Sequence, residues 1–174
     1  MSQFSIRRLE EKDADRMLEW MRDPDITQFL QIGGKDTSKE QVLDFIRSAN
    51  EDHENLHMAI VNPDDEYQGT VSLKHIDHEK KEAEYAISMH PSALGTGAAM
   101  EGTHLITDYA FKVLNLRRIY LYVQEGNQRA IRFYEKCGLK KTHTSLMIIH
   151  NSKKAICWYE VRNSLINEAE DKST

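Results

Sequence analysis

The sequence has little cysteine. Its 174 residues include only Cys137 and Cys157, each inside an apolar pattern, and no Cys-x-x-Cys spacing. Two buried thiols in a reducing, cytoplasmic compartment are the expectation. Long apolar runs are also missing. No stretch of 18 apolar residues occurs, so no membrane-spanning helix is expected. The start, Met1-Ser2-Gln3-Phe4, lacks the basic and apolar regions of a secretion signal. Basic charge is short as well. The net charge is −5, with Arg117-Arg118 and Lys140-Lys141 as isolated basic pairs. Nucleic-acid binders carry a basic stripe, which makes nucleic acid a poor ligand here. An acidic surface favours a cationic amine, though only weakly. Repeats, low-complexity tracts and linker-like composition shifts are absent. One domain over residues 1–165 is expected, followed by a polar, disordered tail over 166–174.

What is present is an ordinary globular composition, 40% apolar and 29% charged. Phe4 to Leu9 alternates loosely and reads as a first strand. Asp13 precedes a helical pattern with Ala14, Met17, Leu18 and Met21, which Asp23-Pro24-Asp25 ends. Thr37 or Ser38 can cap a second helix, with Val42, Phe45 and Ile46 on one face. Three strands follow: Leu56–Val61, Gly69–Leu73 and Glu84–Met89, the first two joined by Asn62-Pro63-Asp64-Asp65. On the third, Tyr85, Ile87 and Met89 alternate with Glu84, Ala86 and Ser88.

A long helix is predicted from about Ala98 to Leu114, burying Leu105, Ile106, Tyr109, Ala110 and Val113. Ile119–Val123 reads as a short buried strand. Asn127 caps a further helix, and Gly138 closes it. Strands near Ser145–Ile149 and Ala155–Val161 complete the chain, with Asn151-Ser152 as the turn. This order predicts an α+β fold: a mixed, mostly antiparallel sheet of six to seven strands with helices on both faces.

Two places can carry chemistry. Gly95-Thr96-Gly97 follows a strand and opens a helix. Glycines admit a ligand close to the backbone, and a helix N-terminus offers free N–H groups and partial positive charge to a phosphate. A Gly-x-Gly alone also fits an ordinary tight turn. A dinucleotide loop would need its third glycine at Met100, and a parallel sheet linked by helices. A phosphate loop of the Walker type would need Gly-Lys-Ser/Thr. Neither pattern is met. The second place is the helix opened by Asn127. Asn127 and Tyr134 are seven residues apart and share a face. Tyr134 suits a general acid, although a core aromatic with a satisfied hydroxyl is the more common fate of such a residue.

Several spaced motifs together resemble one family. They are Gly95-Thr96-Gly97-Ala98-Ala99-Met100-Glu101-Gly102, Tyr109-Ala110-Phe111, Leu114-Asn115-Leu116-Arg117-Arg118, Asn127-x-x-Ala130, and Tyr134-Glu135-Lys136-x-Gly138-Leu139. The chain resembles the GCN5-related N-acetyltransferases, in the branch of the ribosomal-protein, spermidine and amino-sugar enzymes. The match is densest from Ala83 to Leu139.

The resemblance implies an acetyl-CoA-dependent enzyme with no metal and no membrane or nucleic-acid partner. The backbone of Ile87, Ser88 and Met89 would pair with the pantetheine arm. Amides of Leu94, Gly95, Thr96, Gly97 and Ala98 would hold the pyrophosphate. Asn127 would touch the pantetheine or the thioester end. Tyr134 would protonate the departing thiolate as a neutral amine attacks the thioester and a strand amide stabilises the oxyanion. The acceptor would be a small-molecule amine, an amino sugar or a protein N-terminus, and homodimers are common among relatives. Glu84 matches a recurring acidic position, either as a base acting through water or as a solvated, substrate-orienting carboxylate. His75 and His78 offer no third metal ligand and read as surface groups, with substrate contact by His75 the minor reading. Glu19 to Phe29 resembles an acceptor wall, where Trp20 either stacks on a ring or fills the core. One departure stands out. Relatives usually carry Arg or Gln three residues before the first glycine, and this chain carries Ser92. A non-catalytic acyl-CoA sensor on the same fold is the alternative.

Overall fold

The structure is a computed structural model that describes residues 3–27 and 33–164. Gln28 and Phe29 of the acceptor-wall stretch, and the whole predicted tail, lie outside the described residues. The chain divides into two compact units, Met1–Lys74 with Ala86–Ile106, and His75–Tyr85 with Thr107–Thr174.

In the first unit, β1 (Ser5–Arg8) pairs antiparallel with β2 (Leu56–Val61), and β2 with β3 (Tyr67–Asp77). Between β1 and β2 the described residues form three α-helices: α1 (Ala14–Met21), the short α2 (Pro24–Thr27) and α3 (Lys39–Glu51). The sequence pattern predicted only two of these. Pro24 ends α1 and then starts α2, because its fixed φ suits a first helical turn. Ser38 caps α3 by accepting the Gln41 N–H at 3.2 Å, while the Gln41 side chain accepts the Ser38 N–H at 2.9 Å. Such reciprocal caps satisfy two donors that a helix start leaves unmet.

The core of this unit gathers Leu9, Met17, Trp20, Val42, Ile46, Ala59, Val61 and Tyr67. Trp20 is 2% exposed and donates Nε1–H to the Tyr67 hydroxyl at 2.9 Å. It is therefore a core residue, the second of the two roles read from sequence. Beneath it, buried Asp13 takes a two-pronged pair from Arg7 at 2.8 and 2.9 Å. That pair, with Asp65 beside it, raises the guanidinium pKa above its ordinary value. Gly102, on α4 (Ala98–Asp108), packs where any side chain would strike Ile60.

The second unit holds the start of β4 (Glu82–Met89), then β5 (Arg118–Gln124), α5 (Gln128–Lys136), β6 (Lys140–Ile149) and β7 (Ser152–Arg162). β4 pairs parallel with β5 through Glu82↔Arg118, Ala83↔Ile119 and Glu84↔Tyr120. β7 pairs antiparallel with both β5 and β6. The seven strands form one mixed sheet in the order β1-β2-β3-β4-β5-β7-β6, the α+β layout expected from the sequence.

Three local expectations are corrected. The helix predicted to reach Leu114 widens into a π turn over Tyr109–Val113, with Leu114 N–H on Tyr109 O at 3.1 Å. A wider turn advances fewer degrees per residue, which leaves Val113 62% exposed instead of buried. The last hairpin turns at His150-Asn151, one residue before the predicted pair. Both have positive φ, 49° and 63°, as a tight two-residue turn requires. β5 is not buried on both faces. Ile119, Leu121 and Val123 are buried while Arg118, Tyr120, Tyr122 and Gln124 are half-buried.

Candidate active site

The glycine loop lies wholly in the first unit. β4 ends at Met89, and Pro91–Ala93 forms one tight turn before Leu94. Gly95 and Gly97 have φ of 79° and 88°, and a Cβ at either would meet no atom within 4 Å. Backbone conformation, not crowding, is therefore what calls for glycine here. Leu94, Gly95, Thr96 and Gly97 are exposed, and Ala98 is buried.

The loop amides are not equivalent. Leu94 N–H reaches Pro91 O, Thr96 N–H reaches Ala93 O, and Ala98 N–H reaches the Thr96 hydroxyl, each at 3.3 Å. Among the described residues, the N–H groups of Gly95 and Gly97 have no acceptor. The set of five amides expected from the sequence thus narrows to two open donors and three held by long bonds. Gly97 O accepts from Glu101 N–H at 3.0 Å, so α4 begins directly behind the loop. An anion at this place would meet open donors and the positive end of a helix.

The parallel ladder of β4 ends at Glu84, and Ile87, Ser88 and Met89 lie beyond it along the strand. On β3, Gly69 approaches closely: a Cβ there would stand 2.6 Å from Ser88 O. Sequence reasoning missed one group at this loop. Arg16, from α1, donates to Ser92 Oγ at 2.9 Å and to Tyr67 O at 2.7 Å, and pairs with Glu66 at 2.7 Å. Buried His90 also meets Ser92 Oγ at 2.8 Å, and its other ring nitrogen meets Glu19. No local motif announces Arg16, which is 76 residues before Ser92.

The second unit holds the other predicted groups. The Asn127 side-chain oxygen caps α5 by accepting Ala130 N–H at 3.3 Å. That bond turns the amide –NH2 away from the helix, and among the described residues it has no acceptor. Tyr134 stands on the same helix, its ring edge-on to Tyr85 at 6.0 Å and beside Phe133 at 5.5 Å. Among the described residues its hydroxyl has no hydrogen-bonding partner. Burial, reinforced by nearby Cys137, pushes its pKa up to about 12. The phenol is therefore protonated at neutral pH and can act as a donor.

The Glu84 side chain is 11% exposed and lies 3.6 Å from the His75 ring, which is 72% exposed. Tyr120 and Tyr122 have raised pKa values, first from burial and then from the field of Glu84. Trp158 on β7 lies beside both, with ring centres 6.3 and 5.3 Å away, and donates to Ser145 at 2.8 Å. Carboxylate and aromatic faces suit an organic ammonium. The sequence carried a signal for this set in the alternation of Arg118-Ile119-Tyr120-Leu121-Tyr122-Val123, which the apolar character of the strand obscured. Among the described residues, no group of three or more His, Cys, Asp or Glu could hold a metal ion.

Residues 3–140 match the family described as Acetyltransferase (GNAT) domain. The chain belongs to this family. As a GNAT acetyltransferase it is 30% identical over 142 residues to the uncharacterized N-acetyltransferase p20 of Bacillus licheniformis, covering 79% of each chain. It is 40% identical over 79 residues to the spermidine N(1)-acetyltransferase of Escherichia coli K12, covering 45% of this chain and 42% of that one. Its fold matches the spermidine N-acetyltransferase of Vibrio cholerae, solved with CoA and spermine, at a TM-score of 0.83. That match has 23% identity and covers 94% of this chain and 98% of the other. No helix of this GNAT chain is long and apolar enough to cross a membrane among the described residues.

Proposed function

We propose that this protein transfers the acetyl group of acetyl-CoA directly to the primary amine of a small molecule, with polyamines the favoured class. The observation that supports the reading is the hydroxyl of Tyr134, protonated and without a hydrogen-bonding partner among the described residues, on a helix face shared with the –NH2 of Asn127, which has no acceptor among them either. The polyamine preference draws on the relatives named for spermidine, and on the carboxylate and aromatic groups of Glu84, Tyr120, Tyr122 and Trp158.

In this reading the Gly95 and Gly97 amides take the pyrophosphate. The backbone of Ile87 to Met89 pairs with the pantetheine arm, and Asn127 steadies its thioester end. The amine nitrogen attacks the thioester carbon, and the C–S bond breaks. Tyr134 donates to the departing sulfur, and Glu84 drains the amine proton through water. Protein groups, the cosubstrate and a water carry these steps. Two cysteines, Cys157 buried and Cys137 half-buried rather than buried as expected, with no disulfide among the described residues, support a reducing, cytoplasmic setting. Exposed Leu146 and Ile148 on β6, the last strand of the sheet, support a homodimer.

A second reading, an acyl-CoA sensor, is favoured by the three loop amides already engaged and by the missing loop cation at Ser92. A thiol-release assay with acetyl-CoA and a panel of polyamines, amino sugars and N-terminal peptides separates the two. Turnover with an amine is expected. CoA binding without turnover on any amine would leave the sensor reading in its place.

A further inference from the structure

The loop from Pro91 to Gly97 carries no cationic side chain, and the serine at position 92 is short and uncharged. Yet a cation is present. The guanidinium of Arg16 reaches the Ser92 hydroxyl from α1, at 2.9 Å. It is fixed from two other sides, by Tyr67 O at 2.7 Å and by Glu66 at 2.7 Å. An Arg has five N–H donors in a rigid fork, and these contacts use three. Among the described residues, one N–H on each terminal nitrogen is left over, one of them on the nitrogen that holds Ser92. The side chain is 25% exposed, so it is anchored without being sealed from solvent. A short residue at position 92 leaves room for a side chain arriving from elsewhere, and Arg16 occupies it.

We propose that Arg16 supplies from α1 the positive charge that the loop sequence lacks, binding the pyrophosphate of CoA beside the Gly95 and Gly97 amides. The inference rests on the acetyl-CoA reading above. It assigns Arg16 a ligand and gives Ser92 a role as the hydroxyl that holds the guanidinium against the loop. Glu66 is exposed at 49% and partly offsets the charge. His90, on the other side of Ser92, is occupied by Glu19.

The test titrates CoA into the intact protein calorimetrically at several salt concentrations, and in parallel measures KM for acetyl-CoA and for S-acetylpantetheine, which has no pyrophosphate. Arg16→Gln is expected to weaken CoA about tenfold, as loss of one charge-assisted contact does, and to flatten the salt dependence. KM for S-acetylpantetheine should not move. Adding Ser92→Arg to Arg16→Gln should restore most of the CoA affinity. Glu66→Gln, which frees the guanidinium, should tighten CoA and steepen the salt dependence. Equal losses for both acyl donors, no rescue by Ser92→Arg, or no change with Glu66→Gln would each overturn the proposal and leave Arg16 a tie between β3 and the loop. Failure of the wild-type protein to bind CoA would overturn the acetyl-CoA reading and this one together. CoA binding that Arg16→Gln leaves intact would overturn this one alone.

Discussion

Tyr67 in the first unit and Tyr134 in the second are similar residues put to different uses. Burial raises the pKa of both above the free phenol value. The hydroxyl of Tyr67 is held from two sides, by Trp20 Nε1 at 2.9 Å and Thr70 Oγ1 at 2.6 Å. That of Tyr134 is held by no described residue. A buried hydroxyl with two partners gains little from a ligand and loses much if disturbed. A hydroxyl with none is set to donate to an incoming group. The difference lies in the partners and in exposure, with Tyr67 1% exposed and Tyr134 half-buried, and residue type alone does not reveal it.

Replacing each hydroxyl separately should break the comparison if it is wrong. Tyr134→Phe is expected to lower kcat by about a hundredfold or more, the scale of a lost proton donor. Its Tm should stay near that of the wild type, because no internal hydrogen bond is removed. Tyr67→Phe should do the reverse. It strips a partner from Trp20 and from Thr70 in the core, at a cost of about 1–3 kcal/mol in chemical denaturation. Its kcat per folded molecule should be unchanged. A Tyr134→Phe protein with full kcat, or one that melts as early as Tyr67→Phe, would erase the distinction.

A smaller effect is expected at the loop. Gly97 has φ of 88° with open space around it, so alanine adds strain and no clash. A left-handed alanine costs about 1–2 kcal/mol. Relaxing it would turn the Gly97 amide away from its ligand. Gly97→Ala should therefore weaken CoA roughly tenfold while leaving kcat at saturating acetyl-CoA close to wild type. Loss of kcat without loss of affinity would place the loop's contribution at the chemical step, in the territory assigned to Tyr134.

What could be read from the sequence follows the range of the forces involved. The Ser38 cap, the Gly95 and Gly97 turns and the Asn127 cap are set by residues within a few positions, and their patterns were legible. The π turn at Tyr109–Val113 was not, because Val113 fits a regular apolar stripe and only the way the chain leaves the helix turns it outward. β5 looked doubly buried because Tyr120 and Tyr122 are apolar enough to pass as core, although their hydroxyls lie on a half-open face with Glu84. Arg16 was the least legible. It meets Ser92 only through the packing of α1 against β3, and no local spacing encodes that. Asn127 and Tyr134 were legible as a shared helix face, but that both keep donors without a partner among the described residues could only be seen in the fold.

The pH profile should sharpen the comparison with the least disturbance. A donor must be protonated to act. Tyr134 has its pKa raised from 10.0 to about 12, so its active form is present below that value and lost as pH climbs through it. Between neutrality and pH 10 the Tyr134 donor should stay constant, and kcat at saturating substrates should show no falling alkaline limb. An unburied tyrosine would already be half ionised at pH 10. The stability sign runs the same way. A phenol whose folded pKa lies above its unfolded value stabilises the fold below pH 10 and loses that contribution as pH rises toward the folded value. Both Tyr67 and Tyr134 should therefore add to alkaline unfolding, while only Tyr134 should matter for turnover. A falling limb centred below pH 10 that persists in Tyr134→Phe would belong to another group. One that disappears in Tyr134→Phe would mean that the phenol ionises far more readily than its surroundings imply, and that its hydroxyl is not shielded as Tyr67's is.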